Sequence, residues 1–192
     1  RYDGRVLCNL SSNDYLGLAG DAELREDFYR QYNGDWRTPE LALSSASSRL
    51  LTGNTPAYAR LETALSELYG GRAALVFNSG CHANIGILPA LAKAGDLVIS
   101  DKLNHASIID GLRLGGAEFL RYPHVDLERL EATLASRRHE YKRVFVVTES
   151  IFSMDGDTVD LRRLVALKER YDCVLVVDEA HAVGVRGPKG AG

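Results

Sequence analysis

The chain has 192 residues, of which 45% are hydrophobic and 26% charged, a composition typical of a globular domain with a substantial core. Its formal net charge of -3 gives no general basic excess, which argues against binding to nucleic acid or to an anionic membrane surface. The apolar runs, such as residues 173–177, are far shorter than a bilayer-spanning helix, so we expect no membrane segment. Small-molecule chemistry is the class of function that this composition favours.

The three cysteines, Cys8, Cys81 and Cys173, are far apart in the sequence and form no C-x-x-C pair. This spacing favours a reducing compartment over a disulfide framework or a zinc knuckle, so we expect a cytoplasmic protein without a structural metal. The chain lacks an initial methionine and ends in a glycine-rich stretch at residues 184–192. We therefore expect both ends to lie inside a longer protein.

Short apolar, β-branched runs alternate with longer segments of helical period from residue 57 onward. The short runs predict strands at residues 73–77, 97–100, 119–122, 144–148 and 174–177. The longer segments predict helices at residues 57–69, 83–92, 108–114, 127–135 and 161–171. Because the strand runs are apolar throughout, both faces of the sheet should be buried, and we predict an α/β domain with a mostly parallel sheet covered by helices.

The first 55 residues do not follow this alternation. Residues 9–18 and 44–55 are rich in Ser, Asn, Gly and Thr, which is typical of loops. We therefore predict an arm and loop region at residues 1–55, followed by the main domain at residues 56–192.

Polar segments follow several predicted strands, at the sheet edge where ligands of α/β proteins gather. Residues 78–84 form a turn of small residues into a helix, where free backbone N–H groups could hold a phosphate. Asn78 or Ser79 could equally do no more than cap that helix. After the second predicted strand, His105 could stack on a flat ring, act as an acid or base, or simply hydrogen-bond at a helix start.

Two further strand ends carry acidic groups. Glu149 and Ser153 follow the fourth predicted strand, where they could line a site or only order the Asp-Gly turn at residues 155–156. The last strand runs directly into Asp178, and a carboxylate at the end of a buried strand is costly unless it meets a positive charge or a metal. The protonated nitrogen of a pyridine ring would supply that charge, and His181 could bond the ring's phenolic oxygen. A solvated strand end with a capping aspartate is the alternative.

The Asp-Glu-Ala-His segment at residues 178–181 also occurs in ATP-driven helicases. That function requires a phosphate loop of the form G-x-x-x-x-G-K-[ST], which the sequence does not contain. No G-x-G-x-x-G motif follows the first predicted strand either, which argues against a dinucleotide-binding oxidoreductase.

In their order along the chain, residues 12–17, 48–53, 78–80, 101–107, 148–157 and 178–184 resemble the α-oxoamine synthases. The resemblance implies the fold of the aspartate aminotransferase superfamily and pyridoxal 5'-phosphate (PLP) as the cofactor. It also implies a homodimer whose active sites lie at the subunit interface. The reaction it implies joins an amino acid to an acyl-CoA or acyl-carrier-protein thioester with loss of carbon dioxide.

The resemblance also assigns roles to individual residues. His105 would stack on the pyridine ring, Asp178 would pair with the ring nitrogen and His181 would bond the phenolic oxygen, so these three are the catalytic candidates. Ser79, Gly80 and Cys81 match the turn on the phosphate side, although Cys81 stands where many relatives have an aromatic residue. Further matches are Glu149 and Ser153 in the cofactor pocket and Asn13, Ser48 and His105 on the substrate side.

The lysine that binds PLP in this family follows the Asp-x-x-His segment at a greater distance than Lys189 does, so we expect it, with the C-terminal small domain, beyond residue 192. Residues 48–54 and 150–157 most resemble the family member that joins L-alanine to a pimeloyl thioester in biotin biosynthesis. Members that use glycine or serine are the alternatives within the family. A non-catalytic partner subunit without the lysine is the alternative outside catalysis.

Overall fold

A computed structural model describes residues 3–9, 11–31 and 44–192, so residues 1, 2, 10 and 32–43 of the predicted arm lie outside the described part. The chain divides into two compact units, Arg1–Val76 and Phe77–Gly192. None of the described helices is both long and apolar enough to cross a membrane.

The described residues of the N-terminal unit form two α-helices, α1 at Ala22–Gln31 and α2 at Pro56–Leu68, and a 3-10 turn at Leu18–Gly20. Helix α2 begins and ends one residue before the predicted bounds. Helix α1 was not predicted, because only an arm and a loop were expected in this region. Its apolar side chains Leu24 and Phe28 are about half exposed, so the sequence carries no buried stripe that would reveal a helix.

The strand predicted at residues 73–77 is wrong, because the structure has no strand there. The backbone of Val76 bonds to side chains and not to a neighbouring strand: its N–H donates to Glu62 Oε1 at 2.8 Å, and its carbonyl accepts from Arg49 Nη1 at 2.9 Å. Arg49 and Glu62 also pair with each other through both carboxylate oxygens, at 2.8 and 3.1 Å. Apolar residues in a row predict burial, but a strand also requires a backbone partner.

The C-terminal unit is built on a four-stranded sheet in the order β2-β1-β3-β4 with all neighbours parallel. The strands are β1 at Leu97–Asp101, β2 at Glu118–Tyr122, β3 at Val144–Glu149 and β4 at Val174–Asp178. Their bounds differ from the prediction by one residue at most. The predicted α/β class with a parallel sheet is therefore confirmed.

Helices cover both faces of this sheet. Helices α3 at Gly80–Leu91 and α4 at Ala106–Leu114 pack on one face, where they meet Val98, Phe145 and Val147. Helices α5 at Leu127–Arg137 and α6 at Leu161–Arg170 pack on the other face, against alternate strand residues such as Leu97 and Ile99. Short 3-10 turns lie at Arg138–Glu140 and Pro188–Gly190. The central strands are thus buried on both sides, as their apolar runs predict.

Helices α3 and α4 approach each other closely because α4 carries a glycine where they meet. A Cβ atom added to Gly111 would lie 2.5 Å from the backbone carbonyl oxygen of Asn84 on α3, closer than any real contact. Gly86 on α3 is different, since a Cβ there would meet only Phe77, at an ordinary 3.4 Å. Gly111 therefore sets the spacing between the two helices, and Gly86 does not.

We predict that Gly111→Ala destabilises the protein, because the new methyl group must push α3 and α4 apart. Overpacking of this kind costs about 1–3 kcal/mol. Gly86→Ala is the matched control, since it places the same residue in a helix without a clash and gains up to about 1 kcal/mol of helix propensity. Urea unfolding of both variants in the complete protein measures the difference. Equal stability of the two variants would contradict the packing described here.

Candidate functional site

Three neighbouring strands end in an acidic residue at the same edge of the sheet. Asp101, Glu149 and Asp178 are the last residues of β1, β3 and β4, and Glu149 lies opposite Asp178 in the pairing of the two strands. Asp101 and Glu149 are buried and Asp178 is half buried. Carboxylates removed from water in this way need donors or cations nearby.

His105 lies beside this acidic edge, at the N-cap of α4. Its backbone N–H donates to Glu149 Oε1 at 2.5 Å, while the residue as a whole is exposed. The loop before it is fixed by the buried Asn104, whose amide nitrogen donates to Ser100 Oγ at 2.9 Å and to the carbonyl of Val147 at 2.8 Å. A rigid loop thus presents the imidazole of His105 at the strand ends.

The pKa of Glu149 is raised by its burial, and the negative charge of Asp178 raises it further. The hydrogen bond from the backbone of His105 acts in the opposite direction, and the charges of His105 and His181 also lower the pKa, but together they do not reverse the shift. A raised carboxylic pKa means that the negative charge is unfavourable at this place. The edge of the sheet would therefore be stabilised by an added positive charge.

Asp178 is held by neutral donors on both of its carboxylate oxygens. The side-chain amide of Asn84 donates to Oδ2 at 3.0 Å, and the backbone N–H of Ala180 donates to Oδ1 at 3.0 Å. The backbone of Asp178 is fixed as well, because its carbonyl accepts from Ser150 N at 3.1 Å. The orientation of the carboxylate is thus set by uncharged hydrogen-bond donors.

The turn predicted to hold a phosphate forms the start of α3. Ser79 is the N-cap, and its hydroxyl accepts from His82 N at 3.1 Å, so the capping interpretation is correct for this side chain. Gly80 and Cys81 precede the first intrahelical bond, from Ala83 N to Ser79 O at 3.0 Å, and both are exposed. Among residues 3–9, 11–31 and 44–192, no atom would lie within 4 Å of a Cβ on Gly80, so the described residues leave this helix start open.

The remaining candidate residues lie in several separate segments of the chain. His181 follows Asp178 by three residues and is near enough for its charge to influence Glu149. Ser153 lies in an exposed turn after β3. Asn13 and Ser48 are exposed and belong to the N-terminal unit. The structure therefore brings together His105, Glu149 and Asp178, with His181 nearby, and the roles of all the candidates remain predictions.

The sequence analysis missed a histidine that joins three loops at this edge. His124 follows β2, and its Nδ1 lies 2.9 Å from Asp101 Oδ1 while its Nε2 lies 2.6 Å from Asp157 Oδ2. Its ring also packs edge-on against Phe152, with centroids 4.4 Å apart. Asp157 and Phe152 belong to the loop that carries Ser153, so His124 anchors that loop to the ends of β1 and β2. Only the tertiary fold brings these segments together.

The pKa of His124 is raised by this environment. Burial alone would lower it, but the hydrogen bonds and charges of Asp101 and Asp157 outweigh that effect. Asp101 also accepts backbone N–H groups from Leu103 at 2.8 Å and Val125 at 2.9 Å. His124 in its charged form is therefore the cation that balances the acidic end of β1.

The sequence pattern of the family described as Aminotransferase class I and II matches residues 5–192, which is nearly the whole chain. The chain belongs to the aminotransferase class I and II family.

Members and structural relatives of this family support the resemblance predicted from the motifs. The 8-amino-7-oxononanoate synthase of Chlorobaculum parvum is 57% identical over 189 residues, which are 98% of this chain and 48% of that protein. This chain thus spans about half the length of the curated relatives it matches. The resemblance to the α-oxoamine synthases is confirmed by these matches.

Two solved structures have the same fold. A serine palmitoyltransferase from S. paucimobilis, solved with a bound PLP–myriocin aldimine, has a TM-score of 0.83 and 34% identity, covering 94% of this chain and 45% of its own. The 8-amino-7-oxononanoate synthase of Francisella tularensis has a TM-score of 0.72 and 28% identity, covering 95% and 48%.

We predict that the contribution of His124 to stability depends on pH in this aminotransferase-family domain. Because its pKa is raised in the folded protein, the stabilisation is complete below the unfolded pKa of about 6.5 and is lost as the pH rises through the folded value. The stability difference between the unmodified protein and His124→Asn should therefore be larger near pH 6 than near pH 9, which urea unfolding at a series of pH values measures. His139→Asn, at an exposed position, is the control. A difference that does not change with pH would show that His124 carries no charge in its two-carboxylate site.

Proposed function

We propose that this chain forms part of a PLP-dependent acyltransferase of the α-oxoamine synthase type, with the activity of 8-amino-7-oxononanoate synthase. The observation that carries the proposal is the acidic edge of the sheet, where a neutral donor orients each carboxylate oxygen of Asp178. The 57% identity to a protein named for this activity supports the choice of reaction.

The residues of this edge fit PLP in three respects. The start of α3 at Gly80 and Cys81 offers backbone N–H groups that precede the first intrahelical bond to a phosphate, and the helix dipole there also favours an anion. The carboxylate of Asp178 suits the protonated nitrogen of a pyridine ring. The exposed imidazole of His105 suits the face of that ring.

When bound, PLP supplies an electron sink for negative charge at the α-carbon of an amino acid. Asp178 keeps the proton on the ring nitrogen, because a carboxylate in a partly desolvated place stabilises a cation beside it. We assign contact with the phenolic oxygen to His181, and contact with the ring face and the substrate carboxylate to His105. Glu149 holds the backbone of His105, and Ser153 lines the cofactor pocket.

The overall reaction forms a carbon–carbon bond between L-alanine and the acyl carbon of a pimeloyl thioester, pimeloyl-CoA or a pimeloyl carrier protein. The thiol leaves from the acyl group, and the carboxylate of the amino acid leaves as carbon dioxide. Asn13 and Ser48 are the substrate-side residues that we propose in the N-terminal unit. The product places the enzyme in biotin biosynthesis.

Structural similarity and sequence identity favour different family members. The TM-score is higher for the serine palmitoyltransferase than for the solved 8-amino-7-oxononanoate synthase. The 57% sequence identity is to an 8-amino-7-oxononanoate synthase. Substrate choice depends on side chains that line the pocket, which the higher identity reflects more directly than the backbone does. We therefore prefer 8-amino-7-oxononanoate synthase. The other candidates are serine palmitoyltransferase, 2-amino-3-ketobutyrate CoA ligase and 5-aminolevulinate synthase.

We also propose a cytoplasmic homodimer with active sites at the subunit interface. The three free cysteines, of which Cys8 and Cys81 are exposed, suit a reducing compartment. The exposed apolar side chains of the N-terminal unit, such as Leu50 and Leu51, are consistent with a partner surface.

We predict that the complete protein, given PLP, L-alanine and pimeloyl-CoA, releases carbon dioxide and free thiol in equal amounts. Equal amounts are expected because each condensation cleaves one thioester and loses one carboxylate. Carbon dioxide capture and a colorimetric thiol assay, run on the same sample, measure the ratio. Samples without the amino acid serve as the control for simple thioester hydrolysis.

Other substrate pairs decide between the members of the family. Faster turnover of glycine with acetyl-CoA or succinyl-CoA, or of serine with palmitoyl-CoA, would leave the mechanism standing and overturn the assignment to biotin biosynthesis. Thiol release without carbon dioxide for every pair would overturn the proposed reaction itself.

A further inference from the structure

The side chain of Asn84 hydrogen-bonds to Asp178 and to Ser107, the residue that contacts His105. It lies on α3, half buried, and its amide nitrogen is 3.0 Å from Asp178 Oδ2 and 3.0 Å from Ser107 Oγ. An ionised carboxylate only accepts hydrogen bonds, so the atom that faces it must be the NH2 group and not the amide oxygen. Both N–H bonds of Asn84 are thereby used, one toward β4 and one toward α4.

Ser107 connects Asn84 to the imidazole ring of His105. The serine is buried, with 3% of its surface exposed, and its hydroxyl lies 2.8 Å from Nδ1 of His105. The hydroxyl accepts from Asn84 and still has its own hydrogen to donate. The backbone N–H of Ser107 also points to Nδ1, at 3.2 Å. Nδ1 is therefore an acceptor, and the neutral ring carries its proton on Nε2.

We propose that Asn84 is a positioning residue that fixes the carboxylate of Asp178 and, through Ser107, the ring of His105 in one hydrogen-bonded unit. Its relevance to catalysis rests on the function proposed above. By connecting them, Asn84 keeps Asp178, the proposed partner of the ring nitrogen, and His105, the proposed group on the ring face, in a constant relative orientation. A preorganised site requires such a fixed orientation.

The chemical type of the residue suits this role. A lysine or arginine at position 84 would neutralise Asp178 and compete with a pyridinium for it, while a carboxylate would repel it. A neutral amide orients Asp178 and leaves its charge available. Ala180 N holds the other oxygen, so the plane of the carboxylate is defined at both ends.

The backbone of Asn84 is fixed by the same helix that carries Ser107. Gly111 on α4 lies against the carbonyl oxygen of Asn84, with no room for a side chain between them. Ser107 and Gly111 are four residues apart and therefore share one face of α4. Both the backbone and the side chain of Asn84 thus meet that face.

The experiment measures PLP binding to the complete protein after the cofactor has been removed, by fluorescence titration. Asn84→Ala should raise the dissociation constant about tenfold, the size expected when a hydrogen bond to a charged group is lost. In an Asp178→Ala background the same change should have little effect, because Asn84 then has no carboxylate to orient. Gly86→Ala, on the same helix, is the control and should bind PLP as the unmodified protein does.

Two outcomes overturn the inference while leaving the proposed function intact. These are an unchanged dissociation constant for Asn84→Ala and an effect of equal size with and without Asp178. Failure of the unmodified protein to bind PLP would overturn the proposed function. The role of Ser107 is then still tested without cofactor, because 15N NMR should find the ring proton of His105 on Nε2 and find this preference weakened in Ser107→Ala, which keeps only the backbone donor.

If Asn84→Ala does not fold, Asn84→Asp gives the same information with almost no change in size. Its carboxyl can donate to Asp178 when protonated and repels it when ionised. PLP affinity of this variant should therefore fall more steeply with rising pH than that of the unmodified protein. Identical pH profiles would overturn the inference.

Discussion

The structure depends on how three carboxylates at one edge of a parallel sheet are accommodated. Asp101, Glu149 and Asp178 end adjacent strands, and burial makes each negative charge costly. The three carboxylates have different hydrogen-bond partners. Asp101 meets backbone N–H groups and His124, Glu149 accepts from the backbone of His105 and has a raised pKa, and Asp178 accepts from a neutral donor at each carboxylate oxygen. Asp178 is thus oriented by uncharged donors, whereas Asp101 also has the imidazole of His124 as a partner.

The strands and helices of the C-terminal unit hold these acidic residues and their partners in position. Apolar strands buried on both faces hold the three acidic groups at a fixed spacing, while α3 and α4 supply the neighbouring polar groups from their N-terminal halves. The close contact of the helices at Gly111 brings Asn84 within reach of β4 and α4 together. On the other side, His124 ties the loop after β3 to the ends of β1 and β2. The packing of the core thus fixes the positions of the charged and polar groups at this edge of the sheet.

Much of this could be predicted from the sequence, because the apolar runs of β1 to β4 are strong signals and the residue after such a run falls at a known edge of the sheet. His105, Glu149 and Asp178 were found in that way. The strand predicted at residues 73–77 failed because its partner groups are the side chains of Arg49 and Glu62, which no local pattern reveals. Helix α1 was missed because its few apolar residues are largely exposed.

Asn84, Ser107 and His124 were missed for another reason. Asn84 and Ser107 lie inside segments that the sequence analysis singled out, yet their contacts join α3, α4 and β4, and residues 84 and 178 are 94 positions apart. A spacing of this length carries no signal in a single sequence. Asparagine on one helix and serine on the next are usually assigned to caps or solvent. Their function as connecting groups follows only from the tertiary structure.

The central claim is that the carboxylate of Asp178 is oriented to pair with a protonated ring nitrogen. A crystal structure of the complete protein with PLP tests it most directly. The account predicts the ring nitrogen within hydrogen-bonding distance of the Asp178 carboxylate, the ring against His105 and the phosphate at the start of α3 by Gly80. A ring nitrogen facing another group, and not Asp178, would contradict it.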